Sequence, residues 1–261
     1  HEDVTAKASI GTAENLQAGT QEIEISYTEG EGGAAITRTC KLTITTVKVE
    51  DGAAAHYGFE DNLTNSVDTS KTAKVVSDKD LKDSAEKPNY QEGIKGKGIL
   101  FNDGTQRTGI ELADNIANGN KNFTLNLWVN LKSEPTSWGE IVMGTKAAWN
   151  KQLVMNAKPG GAEGAVEAQT ADNGTNQQRF ANALVKDHWR MLTWVNSDTE
   201  MKFYIDGQAQ TIEGGKDLVV KEGIQRIILG AGWWGDYFHG SIDEVSIYDH
   251  YYRKERFVRL L

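Results

Sequence analysis

Nine consecutive residues, Phe123–Leu131 (FTLNLWVNL), carry the clearest period-two pattern in the chain. Phe123, Leu125, Leu127, Val129 and Leu131 share one parity; Thr124, Asn126, Trp128 and Asn130 share the other. Successive side chains of a strand point to opposite faces, whereas a helix would scatter this pattern around its axis. The segment is therefore predicted to be a strand with one face on a core. Further candidate strands are Glu140–Thr145, Gln152–Asn156, Ala165–Gln169, Ile224–Leu229 and Ser241–Tyr248, with the loops Lys132–Gly139, Lys146–Lys151 and Thr170–Arg179 between them. Trp189–Val195 and Met201–Ile205 read as a hairpin, followed by a tight turn at Asp206–Gly207. Lys97–Leu112 reads as two strands joined through Asp103–Gly104, a dipeptide that tolerates positive φ. About a dozen short strands with almost no helix predict an all-β chain, an antiparallel jelly-roll sandwich.

The remainder divides by composition. Gln21–Thr28 and Ala35–Val47 alternate around a Glu29–Gly33 turn, giving a β-hairpin. A lone hairpin is marginal in water, so residues 1–48 read as a fragment that needs further strands. Residues 49–55 form a small-residue linker, and the main domain runs over 56–261 from a first strand at AHYGFEDNL. Thr64–Gln91 is polar and is expected to decorate an edge, with one helical turn starting at Leu81. Tyr251–Leu261 is expected to form a short helix capped by Asp249. Net charge −9 and pI near 5.1 argue against nucleic acid and anionic membranes as partners. No apolar run approaches the length of a membrane span. Cys40 is the single cysteine, which excludes a disulfide framework and a thiolate metal cluster. The chain opens on His1 with no visible leader, so it is expected to be cut from a longer protein.

One stretch stands apart from ordinary core sequence. Leu229–Asp249 (LGAGWWGDYFHGSIDEVSIYD) sets Trp233, Trp234, Tyr237 and Phe238 in a glycine-punctuated loop between two strands. Each ring left in water forfeits about 1.5–3 kcal/mol of burial, so such a loop predicts a stacking surface. The alternative is that some rings fold back over the core. Asp236 and His239 stand beside them as polar partners. Trp138 and Trp149 occupy two other polar loops, and Arg179 closes the amide-rich NGTNQQR segment. Flat rings with planar hydrogen-bonding groups suit the faces and hydroxyls of a sugar. Trp128, Trp189 and Trp194 lie in strands and are expected in the core.

Four segments in order carry a resemblance: HYGFEDNLTNSVD, GKGILFNDGTQRTGIELAD with NFTLNLWVN, HWRMLTWVNSDTEMKFYIDGQ, and GSIDEVSIYDHYYRKE. Over residues 56–255 they resemble the laminin G-like branch of the concanavalin-type lectin and glucanase sandwiches. The stretches DVTAKASI, AGTQEIEISYTE and TRTCKLTITTV resemble the second half of a bacterial immunoglobulin-like module. The resemblance implies a non-catalytic module of a secreted or cell-surface bacterial multi-domain protein, a monomer beside the adjacent domains of its chain, binding an oligosaccharide or other glycan. It also implies a structural calcium where the first and last strands meet, with Glu60, Asn62, Asp68 and Asp243 as oxygen donors and Asp61 beside them.

Catalysis is disfavoured on residues as well as by resemblance. Related glucanases set their acids as E-x-D-x-E along one strand, and no such run occurs in the main domain. Asp243 and Glu244 are adjacent and on a regular strand would face apart. The five histidines show no zinc spacing, and no serine sits in a G-x-S-x-G elbow. The expected function is a lectin-like, carbohydrate-binding module that targets a neighbouring enzyme. The alternatives are a protein-binding adhesin or spacer, and a divergent hydrolase or lyase.

Overall fold

The computed structural model describes residues 9–10, 19–28 and 35–44 by backbone, together with 52–77, 81–102, 108–113, 121–147, 150–170, 176–213, 217–233 and 236–251. The chain divides into two compact units, 1–48 and 49–259. The first is a three-stranded antiparallel sheet of β1 (Ser9–Ile10), β2 (Gly19–Thr28) and β3 (Ala35–Ile44). Pairing of β2 with β3 is unbroken from Gly19↔Ile44 to Thr28↔Ala35, as the alternation of both segments requires. The expected C-terminal helix and the Asp103–Gly104 turn lie outside the described residues.

The second unit is a sandwich of two eight-stranded sheets. Its strands are β4 (Ala55–Tyr57), β5 (Lys74–Ser77), β6 (Asn89–Glu92), β7 (Lys97–Phe101), β8 (Thr108–Glu111), β9 (Phe123–Leu131), β10 (Gly139–Ala147) and β11 (Asn150–Ala157). They continue with β12 (Val166–Thr170), β13 (Asn176–Phe180), β14 (Trp189–Asn196), β15 (Met201–Ile205), β16 (Gln208–Ala209), β17 (Arg226–Leu229), β18 (Asp236–Tyr237) and β19 (Gly240–Tyr248). The first sheet runs β16-β15-β14-β9-β19-β7-β6 with β4 on β19, and the second runs β13-β12-β11-β10-β17-β8-β5 with β18 on β10. All pairings are antiparallel except the two-residue contact of β18 with β10. This is the expected all-β jelly-roll architecture. β7 and β8 are not a hairpin: they lie in different sheets, so the chain crosses the sandwich between them.

The core lies between the sheets, and the parity of β9 shows why. Phe123, Leu125, Leu127, Val129 and Leu131 are all buried in the main apolar cluster, opposite Ile141, Leu153, Met155 and Val166 of the second sheet. Each such side chain contributes about 1.5–3 kcal/mol of burial. Trp194 also belongs to this core, stacked edge-on against Phe203 with centroids 6.4 Å apart. Trp128 and Trp189 do not. They are half-buried on the outer face of the first sheet, because Trp128 has the opposite parity to Leu127 and Trp189 pairs with Asn130.

Two local departures matter. The polar stretch 64–91 supplies an edge strand to each sheet, β5 to the second and β6 to the first, and Leu81 is a buried residue at φ 49 rather than a helix start. In β19 the pairing with β9 slips between Asp243↔Trp128 and Ser246↔Asn126, with Glu244 at φ 46. Three steps on β19 oppose two on β9, which is a β-bulge. Ile242 and Val245 therefore both reach the core although they are three residues apart.

Candidate functional site

The aromatic loop begins where β17 ends. Gly230 has φ +74, and a Cβ there would lie 2.0 Å from Phe101 Cδ1, so only glycine lets the backbone cross that ring. The loop then returns as β18 alongside β10, with Gly139↔Asp236 and Glu140↔Tyr237. This pairing sorts the rings. Phe238 is completely buried in the main core, which corrects the expectation that it presents a free face. Trp233 and Tyr237 are half-buried against a second apolar cluster of Val76, Leu81, Met143, Ile228 and Ala231 on the outer face of the second sheet. Trp234 and Trp149 lie outside the described residues, and Asp236 is placed by its backbone in β18. His239 leaves in another direction: its Nε2 lies 2.5 Å from Asn102 Nδ2 and its Nδ1 lies 3.3 Å from Ser133 Oγ.

Beside those rings a polar row crosses the same face. Ile141, Met155, Ala157, Val166, Ala168, Phe180 and Phe238 are core residues. Their chain neighbours Glu140, Asn156, Glu167, Arg179 and Tyr237 therefore point away from the core. Register aligns these five across adjacent strands: Tyr237↔Glu140, Glu140↔Asn156, Asn156↔Glu167 and Glu167↔Arg179. Strands are spaced about 4.8 Å apart, so the backbones of Glu140 and Glu167 stand roughly 10 Å apart with Asn156 between.

The row is polar yet recessed. Glu167 is 0% and Asn156 4% exposed. Arg179 Nε donates to Glu167 Oε2 at 2.9 Å, and Glu167 Oε1 and Asn156 Oδ1 have no hydrogen-bond partner. An acceptor buried without a donor costs about 1–3 kcal/mol. Elsewhere on this face a buried carboxylate is fully matched: Glu111 receives Arg226 Nε at 2.8 Å and Nη2 at 2.6 Å, with Lys74 Nζ at 3.7 Å. Gly232 closes over the Glu140 end, since a Cβ there would fall 1.3 Å from Glu140 Oε2. Trp138, next to β10, is 41% exposed at φ 48, a left-handed conformation that is uncommon for a large side chain.

Sequence reasoning named Tyr237, Arg179, Trp138 and Trp233, and the structure gathers these near one face. Glu140, Asn156 and Glu167 escaped it. They lie 11 to 27 residues apart in sequence, and only register brings them into line. Arg179 ends the expected loop Thr170–Arg179, yet it sits in β13. A cleft of roughly 620 Å³ lies on the outer side of the first sheet, lined by Gln91, Glu92, Leu100, Asn102, Lys132, Ser133, His239 and Ser241.

Two of the expected calcium donors, Asp243 and Glu60, meet the same 93–97 turn. Asp243 is fully buried, with Oδ2 accepting from Ile94 N at 2.9 Å and Lys95 N at 3.2 Å, and Oδ1 from Glu244 N at 2.7 Å. Burial pushes its carboxyl up to about 7, with the Glu244 charge adding to the rise. Glu60 accepts from Lys97 N, Asn62 Oδ1 from Thr64 N, and Asp68 from Ser70 and Lys71. Among the described residues no three His, Cys, Asp or Glu gather as a metal cluster. In this structure these oxygens accept from amide and ammonium donors.

The concanavalin A-like lectin/glucanases superfamily model matches residues 103–255. No curated protein matches the sequence. Domain 4 of AbnA, a GH43 extracellular arabinanase from Geobacillus stearothermophilus solved with arabinotriose, superposes with TM-score 0.64 at 20% identity, covering 80% of this chain and 97% of that one. The binding domain of botulinum neurotoxin DC in complex with SialylT superposes at 0.57 and 12% identity, covering 82% of this chain and 51% of that one. A mutant of Trypanosoma rangeli sialidase displaying trans-sialidase activity gives 0.57 and 14%, covering 84% of this chain and 33% of that one. This chain thus spans about half of the toxin domain and a third of the sialidase. With two antiparallel sheets in jelly-roll order and a family match over more than half its length, the chain belongs to the concanavalin A-like lectin/glucanases superfamily.

Proposed function

We propose that unit 49–259 is a carbohydrate-binding module that holds a saccharide on the outer face of the second sheet. The observation that carries this reading is the row Tyr237–Glu140–Asn156–Glu167–Arg179, with Trp138 exposed beside its β10 end. It combines ring surface for sugar C–H faces with planar groups for hydroxyls, the pairing saccharide recognition needs. The arabinotriose and SialylT complexes of its structural neighbours lend support. Single-site affinity is expected on the order of 0.01–1 mM, because hydroxyl contacts barely exceed their desolvation. In this reading the module is non-catalytic and belongs to a secreted or surface-exposed bacterial protein, with the three-stranded unit 1–48 as part of an immunoglobulin-like spacer. A glycan array tests it: saccharide binding that falls in Trp138→Ala and Arg179→Ala supports the reading. An empty array with tight binding to a purified matrix protein would replace it with an adhesin, and turnover of a bound polysaccharide would replace it with an enzyme.

A further inference from the structure

We infer that the cleft on the outer face of the first sheet is a second saccharide site, separate from the row on the second sheet. The inference rests on the carbohydrate-binding reading for its ligand class but not for its residues. Register builds the cleft. Leu100 lies between the core residues Ile99 and Phe101, and Ser241 beside the core residue Ile242, so both point outward. They pair across β7 and β19 and form the floor. Gln91 and Glu92 of β6 stand along one side, since Asn89↔Leu100 and Gln91↔Gly98 set that strand beside β7. Lys132 and Ser133 follow β9 on the other side, where their backbone N–H groups donate to His239 O at 2.9 and 3.2 Å. Three strand spacings separate β6 from β9, so the trough is roughly 14 Å wide between backbones. Its volume of roughly 620 Å³ falls within the usual span of ligand sites, about 300–1,000 Å³.

The polar groups of the cleft are set in place by one another. Asn102 Nδ2 lies 2.5 Å from His239 Nε2, and an amide nitrogen only donates, so the ring hydrogen sits on Nδ1 and faces Ser133 Oγ at 3.3 Å. This relay uses one end of each flanking residue. Asn102 keeps Oδ1 as an acceptor, and Ser133, having accepted, keeps its hydroxyl hydrogen as a donor. Gln91 Nε2 donates to Asn89 Oδ1 at 2.7 Å, which leaves Gln91 its Oε1 and a second N–H. Asn102 is half-buried, and Ser133 and Gln91 are exposed, so a ligand in the cleft reaches all three. A sugar hydroxyl donates and accepts at once, which suits walls that offer both roles, while the half-buried Leu100 gives apolar surface to a C–H face. The small side chain of Ser241, 1% exposed, keeps the floor open. The row and the cleft lie on opposite faces of the sandwich, so one short oligosaccharide engages one of them. A module carrying both holds two chains, or two distant parts of one chain, and gains avidity on a polysaccharide.

The test is solution NMR on the isotope-labelled chain, titrated with arabinotriose and with the tightest-binding oligosaccharides of a glycan array. The side-chain amide signals of Gln91 and Asn102 are expected to shift along a saturation curve of their own, distinct from that of the Trp138 indole N–H. The double variant Gln91→Ala/Ser133→Ala should weaken the cleft curve about tenfold, the worth of two hydrogen bonds. It should move the Trp138 curve by less than about twofold, because the two sites share no group. Ser241→Leu, which fills the floor, should abolish the cleft shifts. A thermal melt shows whether it folds, and the exposed Gln91/Ser133 pair carries the comparison where it does not. Shifts at Trp138 alone would overturn the inference and leave the carbohydrate reading intact. Cleft shifts that persist unaltered in the folded variants would overturn the assignment to these residues. Shifts in the cleft alone would uphold the inference and remove the site from the second sheet. Absence of any saccharide binding would overturn both readings together.

Discussion

Arg179 Nε donates to Glu167 Oε2 at 2.9 Å across the β12–β13 ladder, reaching a carboxylate that has no solvent exposure of its own. Arg179→Ala would leave that charge buried without its cation. Arg179 is itself 45% exposed, so water softens the penalty, and a loss of about 1–3 kcal/mol is expected. Equilibrium urea unfolding measures it. The double variant Arg179→Ala/Glu167→Gln should regain most of the loss, because nothing charged then remains unpaired.

Trp138 carries its exposed ring at φ 48. Removing the ring should affect binding rather than folding. Trp138→Ala is expected to weaken saccharide binding about tenfold, roughly 1.4 kcal/mol, with little change in melting temperature. Trp138→Gly relieves a left-handed backbone that disfavours other residues by about 1–2 kcal/mol. That variant should bind as poorly yet melt no lower, which calorimetry and a thermal scan can check together.

Gly230→Ala should be severe. The added methyl would meet the Phe101 ring at 2.0 Å, at a φ that L residues rarely adopt. A destabilisation of about 2 kcal/mol or more is expected, with weaker saccharide binding as the aromatic loop shifts. Gly52→Ala is the control: φ +81 with nothing within 4 Å should leave only the conformational cost, about 1 kcal/mol.

The buried carboxyl of Asp243, raised to about 7, binds its proton more tightly in the folded chain than in the unfolded one. Its contribution to stability is therefore greatest near pH 4 and is lost as pH rises to about 7. Asp68, Asp217 and Glu200 are lowered by hydrogen bonds from neighbouring groups and favour the fold as pH rises through the carboxylate range. Comparing urea midpoints of the wild type and Asp243→Asn from pH 4.5 to 7.5 isolates the first effect: the wild type should decline relative to the variant.

Calcium is expected to leave the melting temperature unchanged, because three amide N–H groups already hold the Asp243 carboxylate. Scanning with excess EDTA and with millimolar calcium checks this. A rise with calcium would mean that Glu60 and Asn62 turn to meet an ion.

The sandwich was legible because burial enforces parity. Phe123–Leu131 could place its apolar set on one face only, and every member lies in the core. Parity also errs where a strand has two covered faces, which is why Trp128 and Trp189 looked like core and instead lie outside. Phe238 looked exposed because its loop is rich in glycine. The short pairing of β18 with β10 turns its ring inward, and no local pattern encodes that pairing. The site row was hidden for a related reason. Glu140, Asn156 and Glu167 become neighbours only through strand register, a property of chain pairing rather than of any stretch of sequence.

The extra residue in β19 sets how this strand tolerates change. Deleting Glu244 would let the strand pair regularly with Val245 and Ile247 still on the face of Ile242, because the bulge absorbs one residue and so preserves that parity. A single-codon loss there is thus a milder lesion than a loss elsewhere in β19, where every residue beyond the gap would exchange inside for outside.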